Sequence, residues 1–151
     1  MFLSHTGRDG AKDILARPTK WFLEEVCKVK AFLDDGDTKW GDDVYDTVGK
    51  AAYKCTHALV LLSSSFRTRR YCVLELNSFL HCRRTEGTRS FCLLPALWDT
   101  RMENTNIGDN RLNLQGIVHI RHDTNNPACY LLETLWPRLV RKLGQPEIQP
   151  W

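Results

Sequence analysis

Residues 58–63 read Ala-Leu-Val-Leu-Leu-Ser, a continuously apolar run brought to a stop by Ser63, Ser64 and Ser65. The run is too short for a core helix and has no alternating polar face, so it reads as a strand buried on both sides. Such a strand needs a covering layer above and below its sheet, which is the arrangement of parallel sheets flanked by helices.

The rest of the chain alternates to match. Residues 1–4 form a short first strand, residues 19–28 a helix with Trp21, Phe22 and Val26 on one face, and residues 29–33 a strand-like segment. Residues 34–43 hold two glycines and five aspartates and read as a loop. Asp42 or Asp43 then caps a helix, since acidic groups favour its positive end, and Val44, Val48, Ala51, Ala52 and Cys55 make its inward stripe. A further helix is expected over 71–82. The apolar segment 91–97 is another strand, in which Pro95 argues for a strand end or an irregular stretch. A polar loop over 99–113 leads to a last short strand at 116–120.

The tail helix, 128–143, carries Leu131, Leu132, Leu135, Trp136, Leu139, Val140 and Leu143 as a wide stripe, and Pro137 is expected to kink or break it unless a second helix begins there. These elements predict an α/β fold with a central parallel sheet of about five strands, joined by right-handed crossovers. No repeat, low-complexity tract or linker divides the 151 residues, which fit one domain over 1–143 followed by a proline-containing tail over 144–151.

Hydrophobic content of 42% and charged content of 26% are those of an ordinary globular protein. A net charge of +3 is too small to imply a nucleic-acid partner, although Arg67, Arg69, Arg70, Arg83 and Arg84 make a locally basic stretch. Cys27, Cys55, Cys72, Cys82, Cys92 and Cys129 form neither a Cys-x-x-Cys pair nor a zinc-like cluster, so no metal site is expected. Neither a signal peptide nor a membrane-spanning segment is evident, and a reducing compartment, the cytoplasm or the nucleus, is the expectation.

Residues 71–80 read Tyr-Cys-Val-Leu-Glu-Leu-Asn-Ser-Phe-Leu and have helical periodicity. Neighbours three and four apart put Tyr71, Cys72, Glu75, Ser78 and Phe79 on one side. In an open parallel sheet ligands bind beyond the carboxyl ends of the strands, where the next helices begin, and Glu75 sits about one turn inside such a helix. Two readings stand at this point: Glu75 as a site carboxylate beside the ring of Tyr71, or a solvated Glu paired with Arg70 or a nearby arginine.

Four strings occur in order: Phe2-Leu3-Ser4-His5-Thr6-Gly7-Arg8-Asp9, Ala31-Phe32-Leu33-Asp34-Asp35 running on to Gly41-Asp42, Ala58 to Ser63, and Tyr71-Cys72-Val73-Leu74-Glu75-Leu76. Together they resemble a TIR domain of the plant immune type over about residues 1–143. The resemblance implies a flavodoxin-like TIR fold and cleavage of NAD at its nicotinamide N-glycosidic bond, yielding nicotinamide and ADP-ribose or a cyclic or variant cyclic isomer. NAD, or NADP, is then the substrate, and neither cofactor nor metal is needed. The partners implied are further copies of the chain or other TIR domains, in immune and cell-death signalling.

The family's catalytic glutamate falls on Glu75. A fixed carboxylate can bond the ribose hydroxyls and stabilise the oxocarbenium character that develops as nicotinamide leaves as a neutral base. Ser4, Thr6, Gly7 and Arg8 of the first loop are implied substrate contacts, Arg8 and the backbone at Gly7 lying nearest the dinucleotide. Phe32 is a further implied contact, Asp34, Trp40 and Gly41 are implied in the loop over 34–43 that covers the site and meets a neighbouring protomer, and Ser63, Tyr71 and Cys72 beside the glutamate.

Tyr71 stands where the family commonly has Trp, and His5 where plant members more often carry Phe. For His5 two readings are weighed, a general base and a residue lining the wall, and the wall is the one expected. Arg67, Arg69 and Arg70, with the positive end of the helix, are expected to attract pyrophosphate and keep Glu75 ionised, or equally to form a surface patch. The first strand begins at Met1 without the residues that normally precede it, so edge residues are expected to be missing. The alternative function is a non-catalytic TIR–TIR interaction module, against which Glu75 itself argues. Nucleic-acid binding, which would show steep salt dependence, rests on the basic stretch alone.

Overall fold

The computed structural model describes residues 1–7, 10–34, 41, 43–63, 65–85, 92–98, 120–121 and 126–144, with the side chains of 44, 45, 67, 82–85, 120 and 121 excepted. Strands β1 (Phe2–Ser4), β2 (His57–Leu62), β3 (Cys92–Leu97) and β4 (Ile120–Arg121) lie side by side in that order, every pair parallel. Along the outer side of β1 runs the segment around Phe32: the Leu3 amide donates to the Phe32 carbonyl at 2.9 Å and the Phe32 amide to the Met1 carbonyl at 2.8 Å. The segment expected as a strand over 29–33 therefore makes a single parallel bridge to Phe2 instead of a full ladder.

That arrangement sets the site. The chain leaves β1, returns on one side of it at Phe32, then crosses to β2 on the other. Direction reverses at β1, the kind of switch point beyond whose carboxyl strand ends open parallel sheets bind ligands.

Helix α1 runs over 12–26 as three contiguous stretches, Lys12–Ala16, Arg17–Trp21 and Phe22–Val26. Helix α2 is Val44–Lys54 and helix α3 is Arg70–Thr85, preceded by a short 3₁₀ turn, Phe66–Thr68. Helix α4 runs over 127–142 as Pro127–Cys129, Tyr130–Leu135 and Trp136–Lys142. The strand period of two decides which helix each side chain meets. Ala58, Val60 and Leu62 join Phe2 in a core with Val48 and Ala52 of α2 and Cys72, Leu76, Phe79 and Leu80 of α3. Leu59 and Leu61 point the other way, joining Leu3 in a second core with Leu15 and Leu23 of α1 and Tyr130, Leu135 and Leu139 of α4.

Several expectations need correction. Helix α1 starts well before residue 19, and its buried face is Leu15, Ala16, Thr19, Phe22 and Leu23; Trp21 at 58% and Val26 at 41% are exposed. Its first turns, Lys-Asp-Ile-Leu-Ala over 12–16, carry only a short apolar stretch, of which Leu15 and Ala16 reach the core. Just past the helix, Lys28 takes a left-handed φ of 57°, and the Val29 amide reaches back to the Leu23 carbonyl at 2.8 Å.

Pro95 sits in mid-strand, paired with Val60. The amides of Cys92 and Trp98 donate to β2, so by alternation position 95 faces β4, and that pairing begins only at Ala96. The missing donor falls where no ladder bond is needed. Pro137 does not break α4, nor does Pro18 break α1. The amides of Trp136 and Arg17, each just ahead of its proline, reach carbonyls five residues back, at Leu131 and Lys12. These wide turns shift the hydrogen-bond register where a proline ring would otherwise meet the carbonyl four residues back. The two helices meet nearby: Phe22 and Trp136 stack at 4.3 Å, and Trp136 Nε1 donates to Thr19 Oγ1 at 3.2 Å.

Asp43 caps α2 as expected, its carboxylate accepting from the Asp46 amide at 3.2 Å. Val48 and Ala52 are buried and Ala51 and Cys55 pack against the same core, while the side chain of Val44 lies outside the described residues. Of the last expected strand only Ile120 is described; the loop over 99–113 and the end of the tail, 145–151, lie outside the described residues. Among the described residues no helix is long and apolar enough to cross a membrane.

Phe79 is fully buried, edge-on to Phe2 at 5.0 Å. Phe79→Ala should lower unfolding free energy by about 3–5 kcal/mol. Urea denaturation measures this, and a loss under about 1 kcal/mol would mean the two rings do not anchor α3 to β1.

Candidate active site

Period and pitch bring Ser4 and Glu75 together. Ser4 lies two residues beyond Phe2 on the same face of β1, and Glu75 lies four residues before Phe79 on the same face of α3. A two-residue step along a strand and a four-residue step along a helix are each about 6–7 Å. The ring contact Phe2–Phe79 is therefore followed, one step along, by a polar one: the Ser4 hydroxyl donates to Glu75 Oε2 at 2.6 Å. One further turn back on α3, the Cys72 thiol donates to the His5 carbonyl at 3.4 Å.

Glu75 is 7% exposed. The solvated carboxylate paired with Arg70 is thereby ruled out. Burial pushes its carboxyl up from 4.5 to about 8; the Ser4 hydroxyl opposes this and the charge of Asp34 adds to it. The expectation that the basic stretch keeps Glu75 ionised is overturned, because desolvation outweighs any cation at that distance. Arg69 acts instead on Cys72, whose thiol burial and Glu75 together push up to about 12, leaving it an inert donor.

His5 is also buried, and its Nε2 lies 3.1 Å from Asp34 Oδ1. Thr6 Oγ1 and Ser65 Oγ are 3.1 Å apart, tying the loop after β1 to the turn after β2. Ser63 is fully buried at the end of β2, its carbonyl accepting the Phe66 amide at 3.0 Å.

The expected site residues are thus brought together unequally. Ser4, Glu75 and Cys72 form one contact chain, and Asp34 joins it through His5 and by its charge on Glu75. Tyr71, half-buried, packs against the α2–α3 core on the turn before Glu75. Phe32 serves packing, its ring 5.0 Å from that of Phe2. Gly7 is exposed with open space at its Cβ position, and Gly41 takes a φ of 96°, which requires glycine. Arg8 and Trp40 lie outside the described residues. Ser78, expected on the inner face, is exposed and bonds the Leu74 carbonyl at 2.9 Å, because α3 turns positions 72, 75, 76 and 79 to the sheet. The His5–Asp34 pair and the Thr6–Ser65 link went unforeseen; residues 29 apart in sequence give no local sign that their side chains meet.

The profile of the TIR domain matches residues 1–129. Among solved structures, the TIR domains of the activated Roq1 resistosome directly recognizing the pathogen effector XopQ are similar, with a TM-score of 0.68 and 16% identity over 94% of this chain and 97% of that one. No curated protein matches the chain.

A carboxyl that binds its proton more tightly folded than unfolded makes stability fall as pH rises between the two values, from 4.5 to about 8. Glu75→Gln removes that dependence. Relative to the native chain the variant should gain stability between pH 5 and pH 8, read from urea midpoints at both. An offset that does not change with pH would mean that Glu75 titrates alike in both states.

Proposed function

Because the chain belongs to the TIR-domain family, with its family profile over residues 1–129, we propose that it cleaves the nicotinamide N-glycosidic bond of NAD, with Glu75 as the catalytic carboxylate. The observation that carries this reading is Glu75 itself: a buried carboxyl, held at 2.6 Å by Ser4, at the carboxyl edge where the strand order reverses. In a site shielded from water, a fixed carboxylate interacts strongly with a growing positive charge. NAD departs as neutral nicotinamide and leaves cationic character on the ribose, so no proton donor is required at that step. The substrate's own pyridinium charge favours the ionised carboxylate on binding, which offsets the burial that holds it neutral in the free protein.

Products are nicotinamide and ADP-ribose or a cyclic isomer, and the biological role is immune signalling, in keeping with the assembled TIR domains of the Roq1 resistosome. Self-association has support of its own in Trp21, Val26 and Leu132, exposed apolar side chains on α1 and α4, which pack side by side. An interaction module without catalysis would use the same surface and leave Glu75 without a role.

Glu75→Gln and Glu75→Ala should lower NAD consumption by at least about 10²-fold with unchanged circular dichroism. For the native protein, kcat/KM should climb with pH toward about 8, reporting the free carboxyl. Full turnover in either folded variant would remove Glu75 from the chemistry. Separately, Trp21→Ala should weaken self-association by about tenfold or more in sedimentation; unchanged association would place the contact elsewhere.

A further inference from the structure

Buried polar atoms nearly always find partners, yet among the described residues His5 Nδ1 and Ser63 Oγ have no hydrogen-bond partner. Both lie just past the carboxyl ends of the strands at the switch point, β1 and β2. His5 is the more informative. Its side chain is 3% exposed, with Nε2 3.1 Å from Asp34 Oδ1, and its carbonyl accepts from Cys72 of α3. The ring is thus pinned on one side by a carboxylate and on the other through its own main chain. An ionised carboxylate only accepts, so it keeps the proton on Nε2 and leaves Nδ1 with a lone pair. His5 also directly follows Ser4, the residue that holds Glu75.

We propose that His5 Nδ1 is the general base for the second half of the reaction, accepting the proton of the hydroxyl that captures the ribosyl cation, with Asp34 as its positioning residue. The proposal rests on the NAD-cleaving reading above and deepens it. In the first half, the C1′–N bond breaks and its electron pair leaves with nicotinamide, Glu75 stabilising the cation. In the second, an oxygen of water or of a ribose hydroxyl donates a pair to C1′. Its proton passes to Nδ1, and the imidazolium, stabilised by Asp34, later yields that proton to solvent. NAD and water thus become nicotinamide, ADP-ribose and a proton, with nothing oxidised or reduced. Glu75 and His5 divide the work by charge: an anion for the departing step, a neutral acceptor for the capturing one. The influence of Asp34 on Glu75 indicates that both pairs share one site.

The test separates the two halves by nicotinamide exchange. Labelled nicotinamide enters NAD by trapping the cation, which needs bond cleavage and no base, whereas hydrolysis or cyclisation needs the base. In the full chain, His5→Phe should keep exchange within about twofold of the native rate while net product formation falls by about 10²-fold, the low end of a positioned base. His5→Gln, which keeps a polar side chain at the position without a basic ring nitrogen, should show the same split, and it carries the test if His5→Phe does not fold. Equal loss of exchange and product in a folded variant, or loss of neither, would overturn the proposal by making His5 a wall or a bystander. A native protein that neither exchanges nor consumes NAD would sink the enzymatic reading, and this inference with it; retained exchange in the native chain tells the two failures apart.

Discussion

The buried hydrogen bond from Ser4 to Glu75 ties the first strand to the helix that follows the second, two elements 71 residues apart in the chain. A carboxyl placed so far from water is costly to hold, and its burial is sustained only because the apolar contact of Phe2 with Phe79 sets the register one step away. The same register brings Cys72 to the His5 carbonyl and keeps the loop after β1 against α3. Displacing α3 along the sheet would therefore unmake the packing and the polar contacts together.

In the proposed reaction, burial and function pull in opposite directions at Glu75. Desolvation favours the neutral acid, while stabilising a cation calls for the anion. Ser4, the hydroxyl partner of Glu75 among the described residues, moderates the conflict without removing it, since a fully satisfied carboxylate takes several bonds. The site is thus biased toward the proton, and in the proposed reaction an arriving positive charge would reverse that bias. Asp34 strengthens that bias by its own charge while its carboxylate is engaged with His5.

Much of the framework was legible in the residues. The apolar run at 58–63 announced a strand covered on both sides, and the alternation of Leu59 and Leu61 with Ala58, Val60 and Leu62 between two cores is its three-dimensional form. Asp43 as a cap and Glu75 at the head of α3 were legible because each depends on neighbours within one helical turn. Helix α1 was half missed because its first turns carry only a short apolar stretch, Ile14, Leu15 and Ala16. Pro95 misled in the opposite sense, since it lands at a strand position with no ladder bond to make, and Pro137 follows a turn wide enough to take the ring. Whether a proline breaks an element depends on which side its missing donor faces, and that is a property of the neighbours.

The charge around Glu75 was the other point where sequence proximity misdirected. Arginines within a few residues suggested an ionised group, yet a helix turns adjacent positions outward, and Arg70 is exposed while Glu75 faces the sheet. By itself, then, the amino-acid sequence determined the layered α/β arrangement, the family and the identity of the acidic side chain at its centre, because periodicity and capping act over a turn or a pair of strand residues. Only the tertiary structure decided that this acid is buried against Ser4 and that His5 meets Asp34. Hydrogen bonds and desolvation depend on which distant segments share a face, and no local pattern encodes that.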